Sequence, residues 1–382
     1  MKICLVTEEY IPPVKRFSLT LKIAEVLSRE NEVHLVAISF DRDYKPKGLI
    51  LHSVNLPNHD EFNLKQRALA NIILSYKVWE VCRKEKIDVV YGWWPVAYFA
   101  SIFSGTPMVA DMPEFLEKMY KTFKKKFPMI IGPILRNFQI IVAKRSKAII
   151  TESKEAKEEW VKRGIKSSKL HYRPYGIEVD FFNSQMNVSR IKKKLGVPKK
   201  ELLVMYHGDI GHDDGVDILL RACKEVDLWC VVIGDGPEDY IRSLKKIAGK
   251  KTIFTGWINY SEIPAYLKNC DIYAAPFRSS EYTNTTYPLK QMEAMAAGKA
   301  VICSRLKAFS STVEHKKDIF LVKPGKIEEL KIAIKTLADN KKLRLKLGKN
   351  AHQTAIKKFG WEKRVKVDIG VIKEIYNLEI RK

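Results

Sequence analysis

The chain has 382 residues, a length that fits two domains of ordinary size better than a single hydrophobic core. Hydrophobic residues make up 46 % of the sequence, and no run of about 18 consecutive apolar residues occurs, which argues against a disordered chain and a transmembrane helix. The net charge of +24 favours an anionic partner such as nucleic acid, anionic lipid or a phosphorylated substrate. A lysine- and glutamate-rich surface is equally typical of heat-adapted proteins.

The first half of the chain alternates between apolar runs typical of strands and segments with helical periodicity. The N-terminal run is too short for a signal peptide and predicts a buried strand, so we expect a cytoplasmic protein. Helices are predicted in SLTLKIAEVLSRE, in ASIF and in KEAKEEWVKRG. Strands are predicted in KICLVT, EVHLVAIS, KIDVVYGWW, PMVADM and KAIITES. This order indicates a parallel, doubly wound sheet.

The pattern restarts after RPYGIEVDFF (173–182), whose proline, glycine and turn residues predict an interdomain linker. Strands are then predicted in ELLVMYHGDI, LWCVVIGDGP, TIFTGW, DIYAAPF and AVICS, with helices between them. The predicted fold class is therefore α/β, with two Rossmann-like domains, each a doubly wound parallel sheet. Such sheets bind ligands beyond the carboxyl ends of their strands, so we expect a site in a cleft between the domains.

Cysteine and histidine patterns give no sign of a metal site. The six cysteines lack CxxC spacing, and the eight histidines lack a ligand pattern, so we interpret the thiols as buried and reduced. Gly234-Asp235-Gly236-Pro237 follows a predicted strand but is not a complete GxGxxG loop, and a simple turn explains it. A dinucleotide-dependent oxidoreductase is not indicated.

Residues 281–298 carry the most specific pattern. Pro288 suits the first turn of a helix, whose free amide groups and dipole form an anion site, and Lys290 adds a positive charge. Glu293, about one turn further along, is placed to bind a ribose hydroxyl of a nucleotide whose phosphates lie at the helix start. The alternative is a capped surface helix with Lys290 and Glu293 as a solvated pair.

Several blocks of the chain resemble glycosyltransferase family 4, a large retaining family with the GT-B fold. PLKQMEAMAAGKAV is similar to the PLK…EYMA-GKPV signature of the family, and VVIGDGPE is similar to its GDGPE turn. The other matching blocks, in chain order, are ITESKEAKEEWVKRGI…YRPYGIEVDFF, IFTGWINYSEIPAYLKNCDIYAAPF and KKFGWEKR. The likeness covers nearly the whole chain.

The resemblance implies transfer of a sugar from a nucleotide sugar to a hydroxyl of a glycan or a lipid-linked acceptor, with retention and without a metal or other cofactor. It implies that Glu293 binds the ribose, that Trp257 and Ile258 frame the base, and that Asp111 accepts or orients the acceptor proton. An Asp111 that merely caps the next segment is the alternative. The other implied donor-binding residues are Gly208, Arg278, Thr285, Thr286, Pro288, Leu289 and Lys290.

The chain departs from the family pattern at three places. Thr285 replaces the first glutamate of the EX7E pair, and Glu281, four residues earlier, is the catalytic candidate in its place. Asp209 and Asp214 occupy the places of an arginine and a lysine that neutralise the donor phosphates. The glycine loop of the N-terminal domain is replaced by Val14–Phe17, in which Lys15 and Arg16 are predicted to supply the missing positive charge.

Domain limits and partners complete the expectations. Residues 1–175, with a returning helix at 363–382, are predicted to bind the acceptor, and residues 176–362 the donor. Residues 117–147 combine lysine clusters with short apolar runs, which predicts either an interfacial segment on an anionic membrane or two core helices joined by a basic loop. No nucleic acid partner is expected. A sugar-binding protein without activity and a nucleotide-sugar epimerase remain the competing function classes.

Overall fold

The computed structural model describes residues 1–11, 18–41, 43–56, 64–112, 115, 117, 131–173, 175–183 and 191–380. They form two compact units. Unit 1 consists of the described residues up to 173, together with residues 362–380. Unit 2 consists of the described residues in Tyr175–Trp361.

Unit 1 is built on a seven-stranded parallel sheet with the order β5-β3-β1-β6-β7-β8-β9. Two short strands, β2 and β4, pair separately. The strands are β1 (Lys2–Val6), β2 (Tyr10–Ile11), β3 (Glu32–Ala37), β4 (Ser39–Phe40), β5 (Leu49–Ser53), β6 (Val89–Trp93), β7 (Met108–Asp111), β8 (Ala148–Thr151) and β9 (Leu170–Tyr172).

The helices of unit 1 connect these parallel strands. Two of them start at a serine that accepts a hydrogen bond from the first turn: Ser18 from the Leu21 amide and Ser153 from the Ala156 amide. The helices are α1 (Leu19–Leu27), α2 (Leu64–Lys84), α3 (Trp94–Ser104), α4 (Ile131–Arg145) and α5 (Lys154–Lys162).

One face of the unit 1 sheet is covered by α2, α3, α4 and α5. Buried residues of these helices form a common core with alternate strand residues, among them Cys4 and Val6 of β1 and Val90 of β6. Because successive side chains of a strand point to opposite faces, these helices share one side of the sheet. Their opposite sides therefore face away from the core.

Unit 2 contains a six-stranded parallel sheet with the order β12-β11-β10-β13-β14-β15. The order reverses at β10, and such a switch point is where doubly wound sheets bind ligands. The strands are β10 (Leu203–His207), β11 (Trp229–Ile233), β12 (Thr252–Gly256), β13 (Ile272–Ala275), β14 (Ala300–Ser304) and β15 (Phe320–Val322).

The helices of unit 2 flank this sheet. Helix α15 begins at Trp361, the final residue of unit 2, and continues in unit 1. The helices are α6 (Val179–Asn183), α7 (Ile191–Lys194), α8 (Val216–Glu225), α9 (Glu238–Ile247), α10 (Ile263–Asn269), α11 (Leu289–Ala296), α12 (Lys307–Ser310), α13 (Ile327–Asp339), α14 (Lys341–Thr354) and α15 (Trp361–Ile380).

The predicted α/β class with two parallel-sheet domains is confirmed. All six cysteines are buried and free, as interpreted from the sequence. No described helix combines the length and the apolar character that crossing a bilayer requires.

Candidate functional site

Glu293 lies at the carboxyl end of the unit 2 sheet, with both carboxylate oxygens engaged. The hydroxyl of Tyr260 donates to Oε1 at 2.7 Å, and Nε2 of His207 lies 2.7 Å from Oε2. His207 is the last residue of β10, and Tyr260 lies in a short 3₁₀ turn that follows β12. Three separate elements therefore converge on this carboxylate.

Packing fixes both partners of Glu293. The Tyr260 ring stacks on Phe181, with ring centroids 5.5 Å apart, and the His207 ring meets Tyr273 edge-on at 5.4 Å. Burial and the neighbouring Glu293 raise the pKa of Tyr260, so this hydroxyl stays protonated and can donate. A carboxylate has lone pairs beyond these two bonds, so Glu293 can still accept hydrogen bonds from hydroxyl groups of a ligand.

The sequence-based alternative of a solvated Lys290–Glu293 pair is wrong. Glu293 is buried with His207 and Tyr260, and the Lys290 amine instead pairs with Asp214. Helix α11 begins at Leu289, so Pro288 is its capping residue and lies just outside the first turn. Helix geometry directs the first amide groups of α11 out of the helix start, where they can bind an anion.

Lys290 uses its three ammonium hydrogens within unit 2. Nζ donates to the Tyr206 hydroxyl at 2.6 Å, the Asp209 carbonyl oxygen at 3.1 Å and Asp214 Oδ1 at 2.7 Å. Its stem crosses Gly208, where a Cβ atom would lie 2.4 Å from Lys290 Cε. Asp214 therefore neutralises Lys290, and the charge reversal seen in the sequence becomes an internal ion pair.

Arg278 is paired in the same way. Its guanidinium donates to both carboxylate oxygens of Asp217 at 2.8 and 2.7 Å, and to the His212 carbonyl at 2.7 Å. Burial opposes ionisation of Asp217, but the hydrogen bonds and the positive charge of Arg278, together with the hydrogen bond from Tyr240, outweigh it and lower the pKa of Asp217. Lys290 and Arg278, the two cations among the predicted donor-binding residues that the structure describes, thus both have carboxylate partners in unit 2.

The loop between β13 and α11 holds three further predicted residues. The Thr285 hydroxyl donates to the carbonyl oxygens of Glu281 and Tyr282, and the Thr286 hydroxyl donates to that of Tyr282. The Glu281 side chain is exposed. The hydroxyl groups shape the loop itself, and the Glu281 carboxylate is accessible to a ligand.

The residues predicted to frame the base follow β12. Trp257 is 45 % exposed, and Ile258 packs partly buried against the unit 2 core. The structure thus brings Gly208, Lys290 and Glu293 together at one edge of the sheet and places Trp257 and Ile258 after a strand of the same sheet. Lys15 and Arg16 lie outside the described residues.

Asp111, the predicted acceptor-side residue, ends β7 inside a buried network in unit 1. Arg173 Nη2 donates to both of its oxygens at 2.9 and 3.1 Å, and Arg173 Nε lies 3.0 Å from Asp368 Oδ1 on α15. The Tyr91 hydroxyl bonds Asp368 at 2.6 Å and lies 3.5 Å from Asp111. Burial raises the pKa of Asp111 despite Arg173, and raises that of Asp368 to about 6.

Sequence reasoning did not identify His207, Tyr260, Arg173 or Asp368. His207 and Tyr260 stand beside residues that were identified, Gly208 and Ile258, at strand ends where doubly wound sheets carry ligand-binding side chains. Arg173 and Asp368 give no local signal, because they are far apart in the chain. Among the described residues, no group of three or more His, Cys, Asp or Glu side chains is arranged to hold a metal ion.

Comparison with protein families gives two matches. The model for glycosyl transferases group 1 matches residues 187–354, and the model for glycosyltransferase family 4 matches residues 19–181. Uncharacterised glycosyltransferases of Methanocaldococcus jannaschii are similar to this chain. One is 22 % identical over 91 % of this chain and 92 % of the relative, and another is 24 % identical over 65 % of this chain and 63 % of the relative.

Solved structures share the fold. Anabaena HepE in complex with UDP-glucose aligns with a TM-score of 0.75 at 18 % identity, covering 99 % of this chain and 100 % of HepE. WaaG, a glycosyltransferase involved in lipopolysaccharide biosynthesis, aligns with a TM-score of 0.69 at 17 % identity, covering 96 % of this chain and 99 % of WaaG. With the two family matches, one in each half, the chain belongs to the group 1 glycosyltransferases of the family 4 type and has the GT-B fold.

Proposed function

We propose that unit 2 binds a nucleotide-sugar donor and that unit 1 binds a glycan or lipid-linked acceptor, whose hydroxyl receives the sugar with retention. The observation that carries the proposal is the Glu293 carboxylate, which two side chains hold at a strand switch point beside the start of α11. HepE, which shares the fold, binds UDP-glucose. That likeness supports a nucleoside diphosphate sugar as the donor class.

In the proposed donor complex, Glu293 accepts hydrogen bonds from ribose hydroxyls. Trp257 lies against the base together with Ile258. The diphosphate lies at the start of α11, where the amide groups of Leu289 and Lys290 and the helix dipole stabilise its negative charge. The same groups stabilise the charge that develops on the leaving diphosphate, which is how this site would accelerate transfer without a metal.

The charge pairs described above modify this scheme. Because Asp214 occupies Lys290 and Asp217 occupies Arg278, we propose that the amide groups of α11 provide most of the phosphate binding. Exposed Glu281 is the proposed carboxylate near the donor sugar, in place of the glutamate that Thr285 replaces. No residue is assigned as a covalent nucleophile.

On the acceptor side, we propose that Asp111 takes up or orients the proton of the acceptor hydroxyl. Burial raises its pKa, which makes its carboxylate a better proton acceptor, while Arg173 holds both oxygens in place. An anionic membrane stays a predicted partner of residues 117–147, of which 131–145 form α4 and 118–130 lie outside the described residues.

A two-stage assay tests the proposed reaction. Thermal shifts with UDP, GDP, ADP and CMP identify the base, and release of that nucleotide from its sugar is then followed with and without hydroxyl acceptors. We expect release to require an acceptor, and NMR of the product to show the anomeric configuration of the donor. Glu293→Gln should lose the thermal shift, whereas Glu238→Gln, at an exposed position of unit 2, should keep it.

A catalytically inactive nucleotide-binding protein is the second candidate. The observation that favours it is the pairing of Lys290 and Arg278 with carboxylates, which leaves neither of these two described cations free for the proposed phosphate site. A nucleotide-dependent thermal shift without sugar release for any acceptor would establish this candidate. Conversion of the donor sugar without an acceptor would instead identify an epimerase, and no shift with any nucleotide would refute the proposed donor site.

A further inference from the structure

Helices α3 and α4 of unit 1 expose large apolar side chains on the sides that face away from the core. Phe99, Ile102 and Phe103 of α3 are 41 %, 47 % and 72 % exposed, and Ile134 and Ile141 of α4 are 59 % and 45 % exposed. The spacings of three, four and seven residues place each set on one helix face. We call these five residues the α3–α4 surface.

The two halves of this surface meet. Phe138 of α4 stacks on Phe99 of α3, with ring centroids 5.8 Å apart and an interplanar angle of 29°. Arg145, at the end of α4, donates to the hydroxyl of Tyr98 at 2.6 Å. The inward residues of both helices, among them Ala97 and Val142, belong to the core. The exposed residues therefore form one apolar band across two packed helices.

The charged side chains of α3 and α4 have one sign. Neither helix contains an aspartate or glutamate, and exposed Lys144 and Arg145 lie three and four residues beyond Ile141, on its side of α4. Lysine and arginine stems can lie along apolar surface while the charged ends reach outward. The combination of an apolar band with flanking cations and no acids is typical of a face that binds the headgroup region of an anionic bilayer.

Helix α2, on the same face of the sheet, also exposes apolar side chains, although it contains one acid, Glu80, which pairs with Lys84. Leu69, Ile72 and Tyr76 are each more than half exposed and share one helix face, and exposed Arg83 and Lys84 end the helix. A single exposed leucine is normal on a protein surface. Apolar outer sides on three neighbouring helices instead indicate an interaction surface.

We propose that the α3–α4 surface docks unit 1 onto the surface of an anionic membrane, with its phenylalanine and isoleucine side chains in the headgroup region. Lys144 and Arg145 pair with lipid phosphates. A second copy of the chain is a poorer occupant, because it would bring the cations of two α4 helices together without acids to neutralise them. The inference deepens the proposed membrane partner but does not depend on sugar transfer, since binding is measured without a donor.

Vesicle co-sedimentation of the full-length protein tests the proposal. Vesicles of phosphatidylcholine alone are compared with vesicles that also contain phosphatidylglycerol, at low and at high salt. We expect binding to the anionic vesicles only, weakened by salt. The Ile102→Ser/Phe103→Ser/Ile134→Ser variant should lower the partition coefficient by about a thousandfold if all three side chains are buried in the bilayer, because each contributes about a tenfold factor.

Matched variants separate the contribution of the cations from that of the apolar side chains. Lys144→Gln/Arg145→Gln should remove most of the preference for anionic vesicles, since each cation near the surface contributes about a fivefold factor. Ile332→Ser/Leu345→Ser, which changes two equally exposed apolar residues of unit 2, should bind like wild type. Unchanged melting temperatures and nucleotide-induced shifts would show that the variants are folded and that the donor site is intact.

Three results would overturn the proposal. These are failure of the wild-type protein to sediment with anionic vesicles, equal binding by the triple serine variant, and equal binding to neutral vesicles. A dimer in light scattering that the triple serine variant converts to a monomer would assign the surface to self-association instead. If vesicles bind but no nucleotide does, the membrane surface stands and the proposed transfer reaction fails.

Discussion

The buried carboxylate of Asp368 predicts a pH dependence of the stability of unit 1 that one substitution should remove. Burial raises the pKa of Asp368 from its ordinary 3.8 to about 6, even though Arg173 and Tyr91 favour the ionised form. The folded protein therefore binds this proton more tightly than the unfolded chain does. Stability must then rise as the pH falls through the interval between about 6 and 3.8.

The size of this change in stability follows from the pKa values of Asp368 in the unfolded and the folded protein. A difference of about two pH units corresponds to about 3 kcal/mol of unfolding free energy at about 1.4 kcal/mol for each unit. The cost of the buried charge is fully present above the folded-state pKa and disappears below the unfolded-state pKa. Asp368→Asn cannot ionise, so it should lack this contribution at every pH.

The assay is urea unfolding at a series of pH values across this interval, with hydrogen exchange of peptides from β7 and α15 as the probe of unit 1. The difference in unfolding free energy between Asp368→Asn and wild type should shift by about 3 kcal/mol in favour of wild type as the pH falls. Tyr91→Phe removes a hydrogen bond that favours the ionised form but leaves the carboxylate in place, so it should keep a pH dependence of the same sign and extend it to higher pH. Parallel pH profiles for wild type and Asp368→Asn would refute the reasoning.

Three substitutions test the donor side in unit 2. Gly208→Ala should cost about 2 kcal/mol or more of stability, measured by urea unfolding, because φ is +116° and the new Cβ would meet the Lys290 stem; equal stability would contradict this packing. His207→Ala should weaken nucleotide binding about tenfold in calorimetry through loss of a charge-assisted hydrogen bond to Glu293, and His207→Gln should restore part of it; equal binding by both variants and wild type would exclude a positioning role. Asp214→Asn should strengthen nucleoside diphosphate binding about tenfold, with greater salt dependence, because Lys290 loses its counter-charge; unchanged affinity would mean that Lys290 lies beyond reach of the phosphates.

The sequence predicted the fold well because parallel strands and amphipathic helices have local periodicities. The periodicity of the sequence does not reveal α2, although this helix is 21 residues long. Its inner side carries Leu74 and Val78, and its outer side carries Leu69, Ile72 and Tyr76. Apolar residues on both sides weaken the 3.6-residue period, so the feature that hides the helix in the sequence also makes its outer side unusual.

The partners of the predicted site residues could not be predicted from local sequence patterns. Glu293 and Lys290 were identified from one motif, but their partners come from other elements of unit 2: His207 ends β10, Tyr260 follows β12, and Asp214 precedes α8. Contacts of this kind depend on strand order and register, which no spacing along the chain specifies.

Asp214 illustrates the consequence for electrostatic reasoning. From the sequence alone, an acid at a position where the resembled family pattern has a base predicts repulsion of the donor diphosphate. In unit 2 this carboxylate accepts hydrogen bonds from Lys290, from the Tyr206 hydroxyl and from the Gly211 amide. The same charge therefore acts as a fixed partner of a cation. We propose that this pairing withdraws Lys290 from the phosphate site, which is why the amide groups of α11 provide most of the phosphate binding in the proposed donor complex.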